Sequence, residues 1–202
     1  MKLTRVPPDE QLHQYCWHCQ ADGVERVTVG GVRLHHCDTC GQDLPRALIF
    51  DPAVPWWIDD AAKYWHETAG VFVRNAAGQY LFFERTAYPF GLTIPAGHLD
   101  CNETPETAAR REVQEETGLQ LDQLHAVATD NIAGDECRRG ADAHRWHTYV
   151  ATIPATSTVE LNPEGHSPVW LTLAEAANRE DLTFAIRYLI ARHHTALERI
   201  SS

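Results

Sequence analysis

The chain contains 202 residues and carries a formal net charge of −11 with its histidines neutral. This length accommodates one domain of medium size and a second, smaller one. The negative charge disfavours nonspecific binding to nucleic acid and to anionic membranes. Residues 1–14 lack the apolar core of a signal peptide, and no stretch approaches the ~20 apolar residues of a membrane span. We therefore expect a soluble, cytoplasmic protein.

Two pairs of cysteines form the first motif along the chain. Cys16 and Cys19 make one Cys-x2-Cys pair, Cys37 and Cys40 make the other, and 17 residues separate the pairs. This spacing falls within the range of four-cysteine zinc sites. Because about 50 residues bury too little apolar surface to be stable alone, we expect a structural Zn²⁺ in a small domain over residues 1–50.

The segment between the cysteine pairs supports this interpretation. Val27–Leu34 predicts two strands around a Gly30-Gly31 turn, the hairpin that a zinc ribbon uses. Disulfides or a redox pair are alternatives for the thiols, although a chain without a secretory signal argues against disulfides. Three nearby histidines are alternative ligands, namely His18, His35 and His36. The other two cysteines, Cys101 and Cys137, have no partner at a metal-binding spacing.

The charge of the ribbon segment bears on its partners. Acidic and basic side chains are nearly balanced there: Lys2, Arg5, Arg26, Arg33 and Arg46 against Asp9, Glu10, Asp22, Glu25, Asp38 and Asp43. A ribbon that bound nucleic acid should be basic. Nucleic acid is therefore not an expected partner, whereas a protein partner remains open.

A proline-containing segment, Asp51–Pro55, follows the ribbon. We expect residues 51–64 to be a linker and residues 65–202 to form the second domain. Three tryptophans are expected to fill the seam between the two parts: Trp56, Trp57 and Trp65.

The second domain predicts a mixture of strands and helices. Residues 70–74 and 80–85 read as a strand, turn and strand. Further elements are predicted as strands over 124–129, 146–153 and 168–173 and as helices over 174–178 and 184–197. The polar residues 134–144 lack periodicity and are expected to form a loop near the substrate.

Residues 97–119 are the most informative segment. Thr104 can cap a helix that Pro105 opens, and Gly118 can end it. Three glutamates of this helix share one face: Glu112, Glu115 and Glu116. Carboxylates so close together repel each other and indicate a bound cation. Hard oxygen ligands favour Mg²⁺ or Mn²⁺, which bridges a protein to substrate phosphates.

The same segment resembles the Nudix box, Gly-x5-Glu-x7-Arg-Glu-U-x-Glu-Glu-x-Gly-U, in which U is apolar. Every defining position matches, at Gly97, Glu103, Arg111, Glu112, Val113, Glu115, Glu116, Gly118 and Leu119. The resemblance implies an α/β (α+β) fold over about residues 65–195, with a mixed sheet packed between helices. It also implies hydrolysis of a nucleoside diphosphate linked to another group.

The resemblance further implies the roles of individual residues. The metal ligands would be the carboxylates of Glu112, Glu115 and Glu116 and the carbonyl of Gly97. Glu103 and Arg111 would pair with each other and fix the loop against the helix. Glu115 or Glu116 would also act as the general base, unless the base lies outside the box.

Glu164 is the best candidate for such an outside base. The segment Glu164–Trp170 resembles a Glu-x5-Trp segment that carries an extra metal ligand in some nucleoside-triphosphate members of the family. Its rivals are Glu160, Asp135 and Glu136, for which surface solvation is the alternative. Three aromatics are candidates for stacking on a base: Tyr88, Phe90 and Trp146. His144 and His147 are spaced too loosely on a predicted strand to indicate a metal site.

A zinc ribbon before a Nudix domain is similar to the NADH pyrophosphatase subgroup. That subgroup carries a Ser-Gln-Pro-Trp-Pro-Phe-Pro-x-Ser segment after its box, which this chain replaces by Thr129–Glu136. The expected substrate is therefore a nucleoside diphosphate sugar such as ADP-ribose, with NAD(H), related nucleotides and nucleoside triphosphates open. The alternative is a nucleotide-sensing or binding module, against which the intact box argues. Many members of the family pair, so a homodimer is possible.

Overall fold

The computed structural model describes residues 6–199. The ends of the two expected domains, residues 1–5 and 200–202, lie outside this range, as do Lys2 and Arg5. The strands are β1 (His13–Cys16), β2 (Val24–Val29), β3 (Val32–Cys37), β4 (Asp43–Leu44), β5 (Ala47–Phe50), β6 (Trp56–Ile58), β7 (Tyr64–Arg74), β8 (Tyr80–Arg85), β9 (Leu92–Thr93), β10 (Ala96–His98), β11 (His125–Ala133), β12 (Ala143–Thr152) and β13 (Gly165–Leu171). The helices are α1 (Pro105–Thr117), α2 (Leu173–Ala177) and α3 (Phe184–Arg199). None of the helices within residues 6–199 is long and apolar enough to cross a bilayer.

The main sheet is mixed. Its strands follow the order β11-β12-β7-β8-β13, while β6 and β10 also pair with β7 and β9 pairs with β8. The β12–β7 pairing is parallel, whereas the other pairings of this sheet are antiparallel. The expected mixed sheet is confirmed.

Helices cover both faces of this sheet. Successive residues of a strand point to opposite faces. Val71 and Val73 of β7 therefore pack with Val113 of α1, whereas Phe72 packs with Leu189 of α3. The sheet thus lies between α1 on one side and α2 and α3 on the other, as expected.

Element boundaries differ from the sequence predictions at several places. Strand β11 runs to Ala133 and β12 begins at Ala143, so the polar loop is limited to residues 134–142. Strand β13 ends at Leu171 because Thr172 begins α2 with a capping box. Its hydroxyl accepts a hydrogen bond from the Glu175 backbone N–H, and the Glu175 carboxylate accepts one from the Thr172 N–H.

The ribbon consists of two small sheets, β1-β5 and β2-β3-β4. Strands β2 and β3 form the predicted hairpin, with Val29 paired to Val32 across the turn. Gly30 and Gly31 have φ angles of 59° and 83°, and a two-residue hairpin turn favours such positive values.

The segment 51–64, expected as a linker, is part of the packed structure. Strand β6 lies within it and pairs with β7. Trp56 fills the seam as predicted, with ring centroids 5.2 Å from Phe50 and 5.8 Å from Tyr64. Trp57 and Trp65 stack on each other at 5.7 Å, and neither belongs to the cluster formed by Tyr15, Phe50 and Tyr64.

Helix α1 begins and ends where its sequence predicts. The Thr104 hydroxyl accepts a hydrogen bond from the Thr107 N–H at 3.2 Å, and Pro105 occupies the first turn. Gly118 ends the helix at a φ of 70° and donates its N–H to the Gln114 carbonyl at 2.9 Å. This position sets the direction in which the chain leaves the carboxylate-bearing turn.

We expect Gly118→Ala to lower the free energy of unfolding by about 1–2 kcal/mol, because the left-handed conformation strains a residue with a Cβ. The nearest atom to that Cβ, Glu160 Cβ at 3.7 Å, would cause no clash. Urea unfolding provides the measurement. Gly118→Asn, a residue that tolerates this conformation, is the control and should lose less. Equal losses in both variants would contradict the backbone explanation.

Candidate functional site

A cavity of about 310 Å³ opens between β10, the last two turns of α1 and the 134–142 loop. One wall carries the acidic groups of α1. The facing residues include the cations Arg85, Arg138 and Arg139 together with Glu164 and Trp146. The cavity therefore combines carboxylates, which suit cations, with guanidinium groups, which suit phosphate oxygens.

The three glutamates that share a helix face meet at the acidic wall. Glu116 is 5% exposed, whereas the side chain of Glu115 is 57% exposed at the mouth. Burial raises the pKa of Glu116 to about 8, although the charge of Arg85 opposes this shift. Burial likewise raises the pKa of Glu112, against the hydrogen bond from Arg111. Buried carboxylates with raised pKa values and all-oxygen donors fit a hard divalent cation, which would favour their ionised forms.

Gly97 allows the helix to approach the preceding strand closely. A Cβ at this position would overlap the carboxylate of Glu112. Gly97 pairs with Ala69 through the β10–β7 ladder, and its carbonyl accepts a hydrogen bond from the Thr68 hydroxyl.

Glu103 and Arg111 pair as the sequence resemblance implied. Arg111 donates from Nε to one Glu103 oxygen at 3.0 Å and from Nη2 to the other at 2.8 Å. Nη2 also donates to the His98 carbonyl at 3.0 Å, and Nη1 donates to Glu112 at 2.7 Å. One guanidinium thus holds the loop, strand β10 and a buried carboxylate in fixed positions.

Residues 65–193, which contain this arrangement, match a family model described as the NUDIX domain. The chain belongs to the Nudix family. The carboxylate wall and the Glu103–Arg111 pair are the two parts of its Nudix box.

Relatives of this Nudix protein include a MutT-like protein from Streptomyces ambofaciens, 33% identical over 129 residues that cover 61% of this chain and 73% of the relative. An RNA pyrophosphohydrolase from Rhodospirillum rubrum is 39% identical over 54 residues, which cover 27% of this chain and 33% of the relative. The solved NUDIX domain of Shewanella oneidensis NrtR complexed with ADP ribose superposes with a TM-score of 0.54 at 18% identity. That alignment covers 69% of this chain and 94% of the domain, and it shows a shared fold.

Glu164 lies at the Nudix cavity, outside the box. Its Oε1 accepts a hydrogen bond from Arg33 at 2.9 Å and lies 3.6 Å from Arg138 Nη2. Burial raises the pKa of Glu164, but the Arg33 hydrogen bond and the neighbouring arginine charges outweigh this effect and lower it. Because Arg33 belongs to β3 of the ribbon, the N-terminal part of the chain helps to shape the Nudix site.

The other candidate bases either accept hydrogen bonds from neighbouring side chains or lie outside the cavity. The Asp135 carboxylate is buried and accepts a hydrogen bond from the Trp146 indole at 2.6 Å. Glu136 accepts hydrogen bonds from Arg46 at 2.6 Å and from the Tyr88 hydroxyl at 2.7 Å. Both line the cavity, whereas the exposed Glu160 does not.

The three aromatic residues predicted to stack on a base differ in their position relative to the cavity. Trp146 lines the cavity and is 7% exposed. Tyr88 and the half-exposed Phe90 lie outside the residues that line the cavity in the described chain, although Pro89 between them is part of the wall.

Several cavity residues had no motif to mark them. Arg85 ends β8, and Arg138 and Arg139 lie in the 134–142 loop. Two consecutive arginines in a loop without hydrophobic periodicity were the sequence feature that could have indicated Arg138 and Arg139 as cavity residues. His144, whose spacing did not indicate a metal site, lies in a cluster with His66, His98 and Cys137.

The four ribbon cysteines converge as predicted. Their sulfur atoms form one cluster, with Cys16 and Cys40 3.7 Å apart and Cys19 and Cys37 also 3.7 Å apart. Four thiolates around one Zn²⁺ with bonds of about 2.3 Å would place neighbouring sulfurs about 3.8 Å apart. The cluster consists of the thiols without His18, His35 or His36.

Proposed function

We propose that this Nudix pyrophosphohydrolase uses Mg²⁺ or Mn²⁺ to cleave a pyrophosphate bond in a nucleoside diphosphate linked to another group. ADP-ribose is the first candidate substrate, and NAD(H) and related nucleotides belong to the same class. The observation that carries the proposal is the convergence of Glu112, Glu115, Glu116 and Gly97 on one wall of a cavity lined elsewhere by arginines.

The chain's own residues supply three functions in this reaction. Divalent cations held by Glu112, Glu115 and Glu116 would lower the pKa of a bound water and neutralise charge on the reacting phosphate. Arg85 and Arg138 line the cavity, and their guanidinium groups would contact phosphate oxygens. Water attacks one phosphorus of the pyrophosphate, and a carboxylate accepts the proton that the water loses. The bond from that phosphorus to the bridging oxygen breaks, and the bridging oxygen leaves with the second phosphate.

We assign the role of proton acceptor to Glu164 or to a glutamate of the box. Glu164 lies at the cavity, and its contacts with Arg33 and Arg138 favour the ionised form that a base requires. Glu115 is the most exposed carboxylate of the box. For the nucleobase, Trp146 is the proposed contact among the three aromatics, because it lines the cavity.

The ribbon cysteines are proposed to bind a structural Zn²⁺. The two sulfur separations of 3.7 Å fit a closed site with four protein ligands, which leaves no position for a substrate. The role of this metal would be to stabilise the ribbon, which positions Arg33 next to Glu164.

A hydrolysis panel tests the proposed reaction. The full chain is incubated with ADP-ribose, NADH, NAD, dinucleoside polyphosphates and nucleoside triphosphates, each with Mg²⁺ or Mn²⁺, and the products are separated by chromatography. We expect metal-dependent cleavage of one compound between two phosphorus atoms. Water labelled with ¹⁸O should appear in a phosphate product.

The same panel addresses the alternative of a nucleotide-sensing module. If a folded, metal-loaded protein bound ADP-ribose by calorimetry but released no product from any compound, the hydrolase proposal would be rejected in favour of sensing. The solved NrtR domain that shares this fold was obtained with ADP ribose, so this ligand is an appropriate probe.

A further inference from the structure

A second group of potential metal ligands lies at the Nudix cavity, and three of its members, His98, Cys137 and His144, line that cavity. His66, His98, Cys137 and His144 each offer one ligand atom, and all four atoms lie within 4.8 Å of one another. His66, Cys137 and His144 are buried, with 1%, 7% and 4% exposure. Each of these side chains is polar, and a buried polar group needs a hydrogen-bond partner or a metal.

The sheet register produces this cluster. Strands β7 and β12 run parallel with His66 directly beside His144, so both side chains point to the same face. Strand β10 pairs on the other side of β7 and ends at His98. Cys137 enters from the 134–142 loop above these strands.

Two separations within the cluster are close to those of a tetrahedral zinc site. His66 Nδ1 lies 3.1 Å from His98 Nε2 and 3.7 Å from the Cys137 sulfur. Zinc bonds of about 2.0–2.1 Å to nitrogen and 2.3 Å to sulfur give about 3.3 Å between two nitrogens and about 3.6 Å between nitrogen and sulfur. The observed values differ from these by about 0.2 Å or less.

Hydrogen bonds at the outer side of two imidazoles direct lone pairs into the cluster. The Tyr64 hydroxyl donates to the Ile49 carbonyl at 2.7 Å, so it accepts from His66 Nε2 at 2.9 Å. The lone pair of His66 is then on Nδ1, which faces the cluster.

The imidazole of His144 is oriented in a similar way. His144 Nδ1 contacts the Asp135 carbonyl at 2.8 Å and its carboxylate at 3.0 Å, which leaves Nε2 as the ligand atom. A carboxylate behind a ligating histidine is the usual second partner in zinc sites. Asp135 would also balance the charge of a zinc ion bound by one thiolate and neutral imidazoles.

We propose that His66, His98, Cys137 and His144 bind a second Zn²⁺ through side chains that belong neither to the ribbon site nor to the proposed magnesium or manganese site. Four protein ligands make the site closed and therefore structural. The metal would join β7, β10 and β12 to the 134–142 loop, which carries Arg138 at the cavity. That loop also binds the ribbon, since Ala47 and Ile49 of β5 donate their N–H groups to the carbonyls of Arg138 and Arg139, each at 3.0 Å.

Metal counting on the full chain tests the proposal. Each protein is loaded with Zn²⁺, passed through a desalting column in excess Mg²⁺ to keep zinc off the α1 carboxylates, and analysed by plasma mass spectrometry. We expect two zinc ions per chain in the wild type and one in Cys137→Ala. Cys101→Ala is the matched control, because the exposed Cys101 is outside both clusters, and it should retain two.

A second variant keeps the proposal testable if Cys137→Ala fails to fold. His98 is less buried than the other ligands, and His98→Gln should also bind one zinc ion while its circular dichroism stays unchanged. Cys16→Ser should lose the ribbon zinc ion and retain the ion of the second cluster. One zinc ion in the wild type, retained in Cys137→Ala and His98→Gln but lost in Cys16→Ser, would overturn the proposal. None of these measurements depends on hydrolytic activity.

Discussion

Glu115→Gln is expected to lower kcat at least ~100-fold, the effect typical of removing a group that stabilises charge at a reacting centre. Glutamine keeps the shape of the side chain but removes the negative charge that a divalent cation requires. The Glu115 side chain is 57% exposed, so the substitution should leave the fold intact. Initial rates with the best substrate of the panel, at saturating Mg²⁺, provide the measurement.

Glu106→Gln is the matched control for this prediction. Glu106 lies in the first turn of the same helix, its side chain is 55% exposed, and it pairs with Arg110 rather than with the box. Its kcat should remain within about twofold of the wild type, since exposed helix pairs contribute little. Near-normal turnover of a folded Glu115→Gln would refute the assignment of Glu115 as a ligand.

Arg111→Lys should reduce both activity and stability, although it preserves the charge. Lysine cannot reproduce the two parallel hydrogen bonds to Glu103 while also reaching the His98 carbonyl and Glu112. Loss of two charge-assisted hydrogen bonds at a partly buried site should cost about 2–4 kcal/mol. We expect Tm to fall by roughly 5–10 °C. The displacement of Glu112 should lower kcat at least ~10-fold.

Arg110→Lys distinguishes this effect from a general cost of replacing arginine. Arg110 is the neighbouring residue, and it binds the exposed Glu106 and the Leu121 carbonyl. Scanning calorimetry and kinetics should show a small Tm change and an unaltered kcat. Similar losses in the two variants would show that the Glu103–Arg111 pair has no special role.

The box and the ribbon could be predicted because their information is local. Helix α1 has its cap at Thr104 and its end at Gly118, and the 3.6-residue period alone places Glu112, Glu115 and Glu116 on one face. The paired cysteines lie on short turns, where spacing limits the geometry to a small cluster.

The packing between the two parts of the chain could not be predicted in the same way. A segment with two prolines indicated a linker, yet β6 follows them and pairs with β7. Arg33, in the ribbon hairpin, reaches Glu164 across 131 positions of sequence. No local pattern of charge or hydrophobicity records which distant side chain will neutralise a given carboxylate.

The sequence by itself determined the Nudix box, its helix and the four-cysteine motif, since each depends on residues close together in the chain. Only the tertiary structure decided which other residues surround the cavity. His66 and His144 have unrelated positions in the sequence, and the parallel register of β7 and β12 places them side by side. Pairing between distant strands is set by the burial of whole sheet faces, so it leaves no spacing that a motif can reveal.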